Sequence, residues 1–211
     1  MLAEFEVPIV IVGFGNAADI VKCLTAVAEQ RRCPKIGVFI CENGGGGAFE
    51  ALIESLSDPG GPCAGKAESM DLNAPVFLRV RRLRLAGAGV PVFVGEACEN
   101  LGFPGGVNSW IRLFLLERGW EGVWVLNPDT WPAPDALAEL IRYADARKRG
   151  MVQSRIMFAD RSDITSSRGL KWNKLRARSR PASTFSPPSR RRRTPTTTSG
   201  AWTRRRASRS T

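Results

Sequence analysis

Histidine is absent from the 211 residues, and tyrosine occurs once. Without imidazole, a Ser-His-Asp triad, a Cys-His dyad and a histidine-ligated metal are all excluded, which leaves carboxylates, hydroxyls, amides or an oxygen-held metal for any chemistry. The five cysteines (Cys23, Cys33, Cys41, Cys63, Cys98) are odd in number and include no Cys-x-x-Cys pair. That pattern argues against a disulfide framework or a structural zinc site and predicts reduced, mostly buried thiols. No apolar run approaches the roughly 20 residues of a membrane span. Glu4 and Glu6 stand where a secretion signal would carry bases, so a soluble, cytoplasmic chain is expected.

Acids are missing from the last fifth of the chain. Residues 171–211 hold 13 Lys and Arg and no Asp or Glu, and removing those 13 from the 31 bases leaves 18 against 20 acids. The net charge of +11 is therefore a property of the tail, and residues 1–170 sum to about −2. Beyond Arg176 the composition is almost entirely Arg, Ser, Thr, Pro and Ala, with Phe185 and Trp202 the large apolar residues. Such a stretch buries too little apolar surface to offset its ordering entropy. One domain over residues 1–170, followed by a disordered basic tail over 171–211, is the expected organisation.

What is present before the tail alternates between two periodicities. Pro8–Gly13 is a β-branched run ending in glycine, and Ile20, Val21, Leu24, Val27 and Ala28 then recur at helical steps as far as Gln30. Lys35–Cys41 forms a second apolar strand running into Glu42-Asn43 and four glycines, with a helix over Phe49–Leu56. Residues 57–74 read as a loop, and Val76–Leu85 is a basic amphipathic segment of undecided type. Val90–Val94 is a third strand, with Pro91 at its start or marking an edge. A Gly-rich loop, Asn100 to Asn108, opens a helix from Ser109 to Arg118. Val123–Leu126 is a fourth strand leading into Asn127-Pro-Asp-Thr130, Asp135–Lys148 a helix, and Gly150–Met157 a fifth strand. Strands alternating with helices imply an α/β fold with a mostly parallel sheet covered on both faces, which binds ligands at the strands' carboxyl ends.

Three strand ends carry groups suited to a nucleotide or a metal. At the second, Glu42 can accept a hydrogen bond from a base imide N–H or a ribose hydroxyl, and a simple turn before flexible glycines is the alternative. After the third, the glycines between Asn100 and Asn108 allow close approach of backbone to a ligand, with a plain loop before a helix as the alternative. At the fourth, Asp129 can join diphosphate oxygens and water around Mg²⁺ or Mn²⁺, although Asn-Pro-Asp-Thr is also a good type I turn.

In combination these motifs resemble a family 2 glycosyltransferase of GT-A fold and bacterial rhamnosyltransferase-like kind, over roughly residues 7–170. The likeness rests on PIVIVGFGN with Gly13 and Asn16, and on Glu42-Asn43-Gly44, where the family more often has Asp. It rests further on N-x-G-F-x-G-G-x-N at Asn100, Gly102, Phe103, Gly105, Gly106 and Asn108, and on L-N-P-D-T at Leu126–Thr130 with Pro132. The resemblance implies a Rossmann-like nucleotide-sugar-binding domain whose nucleotide-diphospho-sugar donor lies across the sheet edge. Glu42 would contact the base and Asn43 would lie beside it. Asp129 would be the metal-binding second carboxylate of a degenerate D-x-D that begins at Asn127. It also implies an inverting, metal-dependent transfer to a glycan or lipid-linked acceptor in polysaccharide biosynthesis. The family's catalytic base lies in an acidic motif of the acceptor half, and here no acid follows Asp163. The catalytic residue is accordingly unassigned. The expectation is a reading frame shifted or truncated near Arg176–Arg180, with transfer impaired.

Two other functions compete. Gly13-Phe-Gly15-Asn-Ala-Ala18 matches the dinucleotide fingerprint G-x-G-x-x-A, with Glu42 where a ribose-binding acid would stand, but this leaves the two later motifs without a role. Arg190–Arg193 and Arg204–Arg206 would bind nucleic-acid phosphates loosely, yet no regular aromatic interleaving accompanies them, and no nucleic-acid partner is expected. Arg79, Arg81, Arg82 and Arg84 read as a solvated face, with peripheral contact to an anionic membrane as the alternative.

Overall fold

The structure, a computed structural model, describes residues 4–158 and the strand segments Thr165–Ser167, Leu170–Asn173, Arg178–Pro181 and Gly200–Arg204. In chain order the first part runs β1 (Val7–Gly13), α1 (Ala17–Ala28), β2 (Ile36–Glu42), α2 (Gly45–Ser57), β3 (Cys63–Met70), β4 (Phe77–Leu85) and β5 (Pro91–Ala97). It continues with α3 (Gly102–Leu115), β6 (Gly122–Leu126), α4 (Ala136–Ala146), β7 (Met151–Gln153) and β8 (Ile156–Met157). The four later segments are β9 to β12.

β5, β2, β1 and β6 are neighbours in that order and all parallel, so their carboxyl ends open on one edge. β3 and β4 extend the sheet antiparallel beyond β5. Every residue of β1 and β2 is buried, because helices cover both faces. Alternate residues divide between the two layers. Ile9, Ile11, Val38 and Ile40 pack with α1, α2 and α4, whereas Val10, Val12, Phe39 and Cys41 pack with α3. Phe39 is the centre of the second layer, stacked on Phe93 at 4.9 Å and edge-on to Phe114 at 4.7 Å. This is the three-layer α/β architecture that the alternating pattern predicts. Among the described residues no helix is long and apolar enough to cross a membrane.

The differences from expectation have physical causes. β3 falls inside the expected loop: its residues are mostly small and exposed, and it is held as an edge strand by pairing with β4. β4 settles the undecided basic segment as a strand. Pro91 begins β5, which is interior to the sheet, so the missing N–H falls at the strand's first residue. The fifth strand is broken into β7 and β8, and β7 lies two places from β6 with β12 between them. β10, β11 and β12 fall in the segment expected to be a disordered tail; β12 pairs its backbone antiparallel to both β6 and β7, since exposed strand edges accept any extended chain. The rest of that tail, including Arg176 and Ala177 at the start of the expected frame-shift position, lies outside the described residues, as do Asp160 and Asp163.

Candidate functional site at the carboxyl edge of the parallel strands

Glu42 ends β2 on the side facing α1 and α2, continuing the alternation of Val38 and Ile40, and it is fully buried. Its Oε1 accepts two backbone N–H bonds, from Gly15 at 2.9 Å and from Gly44 at 2.8 Å. A single carboxylate oxygen thus joins the turn after β1 to the turn before α2. Oε2 is buried without a hydrogen-bond partner. None of the ion pairs among the described residues includes Glu42, so the two N–H dipoles take the place of a cation. The glycines around it are required by space: a Cβ at Gly13 would lie 2.5 Å from Oε2, and one at Gly44 would lie 2.8 Å from Oε1.

Asn43 follows on the opposite face. Its Nδ2 donates to the Gly102 carbonyl at 3.3 Å, and its Oδ1 accepts from Leu101 N–H at 3.4 Å and from the Cys41 thiol at 3.6 Å. Its own N–H donates to the Gly13 carbonyl at 2.9 Å. Asn43 therefore ties the ends of β1 and β2 to the start of α3. Asn100 Oδ1 accepts from Gly102 N–H at 2.9 Å, an Asx turn that feeds the helix, with Gly102 at φ +63°. The Gly-rich segment is thus largely helix rather than loop. Gly106 is there for packing, since a Cβ would stand 2.7 Å from Val12 Cγ1 and 3.3 Å from Asn43 Nδ2. Gly105 would meet Leu101 Cβ at 2.8 Å. Asn108 is exposed farther along α3, about 9 Å down the helix axis from Gly102.

Asn16 Oδ1 accepts from Phe14 N–H at 3.0 Å and shapes the turn that presents Gly15 to Glu42. Asn127 and Asp129 are exposed beyond β6. Thr130 closes their turn by donating to the Asn127 carbonyl, at 3.3 Å from N–H and 2.6 Å from Oγ1. The register sets Gly13 beside Glu42 and Val10 beside Val125, so Gly13 is level with Pro128. Two strand spacings, about 10 Å, separate the exits of β2 and β6 on one edge. Asp129 also acts on α1: the Cys23 thiol is pushed up to about 12, first by burial and then by the Asp129 charge.

Gly13, Asn16, Glu42, Asn43, Asn100, Gly102 and Gly106 are thus interlocked, Asn127 and Asp129 share their edge, and Asn108 stands apart. The sequence reading missed Glu96, buried at the end of β5 opposite Glu42, and its partner Arg79. The signal was available: Glu96 occupies the same position after VFV that Glu42 occupies after VFI. Trp131 is 38% exposed with Lys22 Nζ 5.8 Å from its ring centroid, while Trp110 and Trp124 are fully buried.

Fold and site together define an α/β domain whose polar groups gather at the carboxyl ends of parallel strands. No family model matches the chain. A search of curated proteins also finds no match. Among solved structures, TarS 1–349 of S. aureus in complex with UDP is similar at 12% identity and a TM-score of 0.48 over 72% of this chain. The mannosyltransferase PcManGT of Pyrobaculum calidifontis, in complex with GDP-Man and Mn²⁺, is similar at 17% identity and a TM-score of 0.47, again over 72% of this chain. The chain spans 36% of the length of each, and at these values the likeness is one of outline.

Proposed function

We propose that residues 1–170 are the nucleotide-sugar-binding domain of a metal-dependent, inverting glycosyltransferase of family 2 and GT-A type. The donor, a nucleotide-diphospho-sugar, lies across the edge formed by the ends of β1, β2 and β6. The observation that carries this is Glu42: one oxygen is consumed by the Gly15 and Gly44 N–H groups, and the other is buried and unpartnered. A buried orphan acceptor costs free energy unless a ligand or water supplies its donor. A base N–H is such a donor, reached when the Gly13–Asn16 turn moves aside.

Asp129 and Asn127 are suited to a cation shared with the diphosphate, and not to one held by the protein alone. No group of three or more Cys, Asp or Glu side chains able to hold a metal occurs among the described residues. Mg²⁺ and Mn²⁺ bound with nucleotide need one or two carboxylates, the phosphate oxygens and water. The Asp129 carboxylate and the Asn127 side-chain oxygen would hold it, and bound there it would offset charge on the departing diphosphate. Glu42 orients the base, and Asn43 fixes the start of α3 beside it. The acceptor is a glycan or a lipid-linked glycan, and the setting polysaccharide biosynthesis at the cytoplasmic side of a membrane. Donor binding is the activity to measure, because it needs only the groups gathered at this edge.

A thermal-shift comparison separates this reading from a dinucleotide-binding one. A UDP- or dTDP-sugar with Mn²⁺ at about 100 times its Kd should stabilise the chain by about 2.7 kcal/mol, and NAD(P)H should have no effect. Stabilisation by NAD(P)H alone rejects the proposal.

A further inference from the structure

Glu96 stands directly opposite Glu42 in the parallel register and continues the α2-facing side of β5 after Val92 and Val94. Two buried carboxylates therefore sit on adjacent strands with their Cα atoms about 5 Å apart. Like charges so close in a protein interior each need their own compensation. Glu42 has the N–H groups of Gly15 and Gly44. Glu96 has Arg79, whose Nε donates to Oε2 at 2.5 Å and whose Nη1 also donates to Glu50 on α2. The guanidinium lies over the ring of buried Phe49, 4.7 Å from its centroid. One side chain on β4 thus grips both β5 and α2.

The glycine start of α2 rests on this arrangement. A Cβ at Gly46 would lie 3.2 Å from Glu96 Oε1 and 3.8 Å from Arg79 Nη2, while one at Gly44 would lie 2.8 Å from Glu42 Oε1. The same few residues of backbone pass over both carboxylates, and both carboxylates accept N–H bonds. Were Glu96 left without its cation, it would compete with Glu42 for the N–H groups of that turn.

We propose that Arg79 is a positioning residue for Glu42. It satisfies Glu96, anchors α2 through Glu50 and Phe49, and thereby leaves the Gly44 N–H on Glu42, where it fixes the carboxylate that meets the donor's base. This rests on the donor-site reading of Glu42 given above, but its first test does not.

Amide hydrogen exchange on the full chain is compared for the wild type, Arg79→Met, Arg79→Lys and the double variant Arg79→Met/Glu96→Gln. In Arg79→Met the Gly44 and Gly46 amides should exchange at least about tenfold faster while Leu140 and Ala144 of α4 keep their rates. Arg79→Lys should recover part of the protection, and the double variant, with no charge left at position 96 to satisfy, most of it. Acceleration spread evenly over the chain, unchanged Gly44 exchange, or no recovery in the double variant overturns the proposal. If Arg79→Met does not fold, the double variant is read in its place: Gly44 protection retained supports the proposal and lost protection overturns it. UDP affinity in Arg79→Met should fall by about 3- to 100-fold, the range for residues coupled within one network, with partial rescue by Arg79→Lys. Affinity for Mn²⁺-pyrophosphate, which lacks the base, should hold, and an equal loss of both overturns the role assigned to Arg79. A wild type that binds no nucleotide defeats the donor-site reading and leaves Arg79 to be decided by exchange.

Discussion

Gly13→Ala adds one methyl group at the end of β1, and that methyl would stand 2.5 Å from Glu42 Oε2 and 2.9 Å from Ile20 Cδ1. The first distance is about 1 Å inside ordinary contact. Ile20 Cδ1 is the free end of a flexible side chain and can turn away. The Glu42 carboxylate cannot, because its other oxygen holds Gly15 and Gly44 at 2.9 and 2.8 Å. Relief of the clash must stretch those two charge-assisted bonds, each contributing about 1.5–3 kcal/mol. Losing about half of the pair, with some overpacking, costs about 3 kcal/mol, or about 6–12 °C in Tm for a domain of this size. Urea unfolding followed by tryptophan fluorescence measures it. In a Glu42→Ala background the obstacle is gone, and the same Gly13→Ala change should cost less than about 1 kcal/mol. Equal costs in the two backgrounds would refute the claim that Glu42 fills the space Gly13 leaves.

Burial raises the Cys23 and Cys63 thiols to about 12 and Cys41 to about 11, against the usual 9.0, with Asp129 a second cause at Cys23. A raised thiol stays neutral, so at pH 8 an alkylating reagent should label exposed Cys98 first and half-buried Cys33 more slowly, and the other three only on unfolding. Because these thiols ionise more easily in the unfolded chain, stability should hold up to about pH 9 and fall from there towards pH 12; a rise over that window would contradict the burial. Two Gly→Ala changes inside helices should differ in sign by urea titration. Gly47→Ala meets nothing within 4 Å and should stabilise by about 0.5–1 kcal/mol, whereas Gly106→Ala pushes a methyl into Val12 and should destabilise by up to about 2 kcal/mol.

Legibility of the fold followed burial. β1 and β2 were readable because strands buried on both faces must be continuously apolar, and α1 and α4 because each buries one stripe. β3 was not, since an edge strand of small, mostly exposed residues is specified by its neighbour rather than by its own pattern. The helix starts at Gly45 and Gly102 ran against propensity, because those two residues have φ of +79° and +63°, and nearby Gly44, Gly46 and Gly106 pass close to Glu42, Glu96 and Val12. At the site, Glu42 and Asp129 were legible as polar groups at strand ends. The inward turn of Glu42 was not, because it depends on N–H groups 27 residues away in sequence at Gly15. Arg79 looked like one of four solvated arginines, and only the register of β4 against β5 and the packing of α2 single it out.

Calorimetric titration of UDP, dTDP and GDP, each with and without Mn²⁺, into the wild type and Asp129→Asn tests the donor site most directly. At least one nucleoside diphosphate should bind the wild type with Mn²⁺, and should bind about tenfold or more weakly when either the cation or the Asp129 charge is removed, a difference of about 1.4 kcal/mol or more. Failure of all three to bind, or binding indifferent to both Mn²⁺ and Asp129, would contradict the assignment.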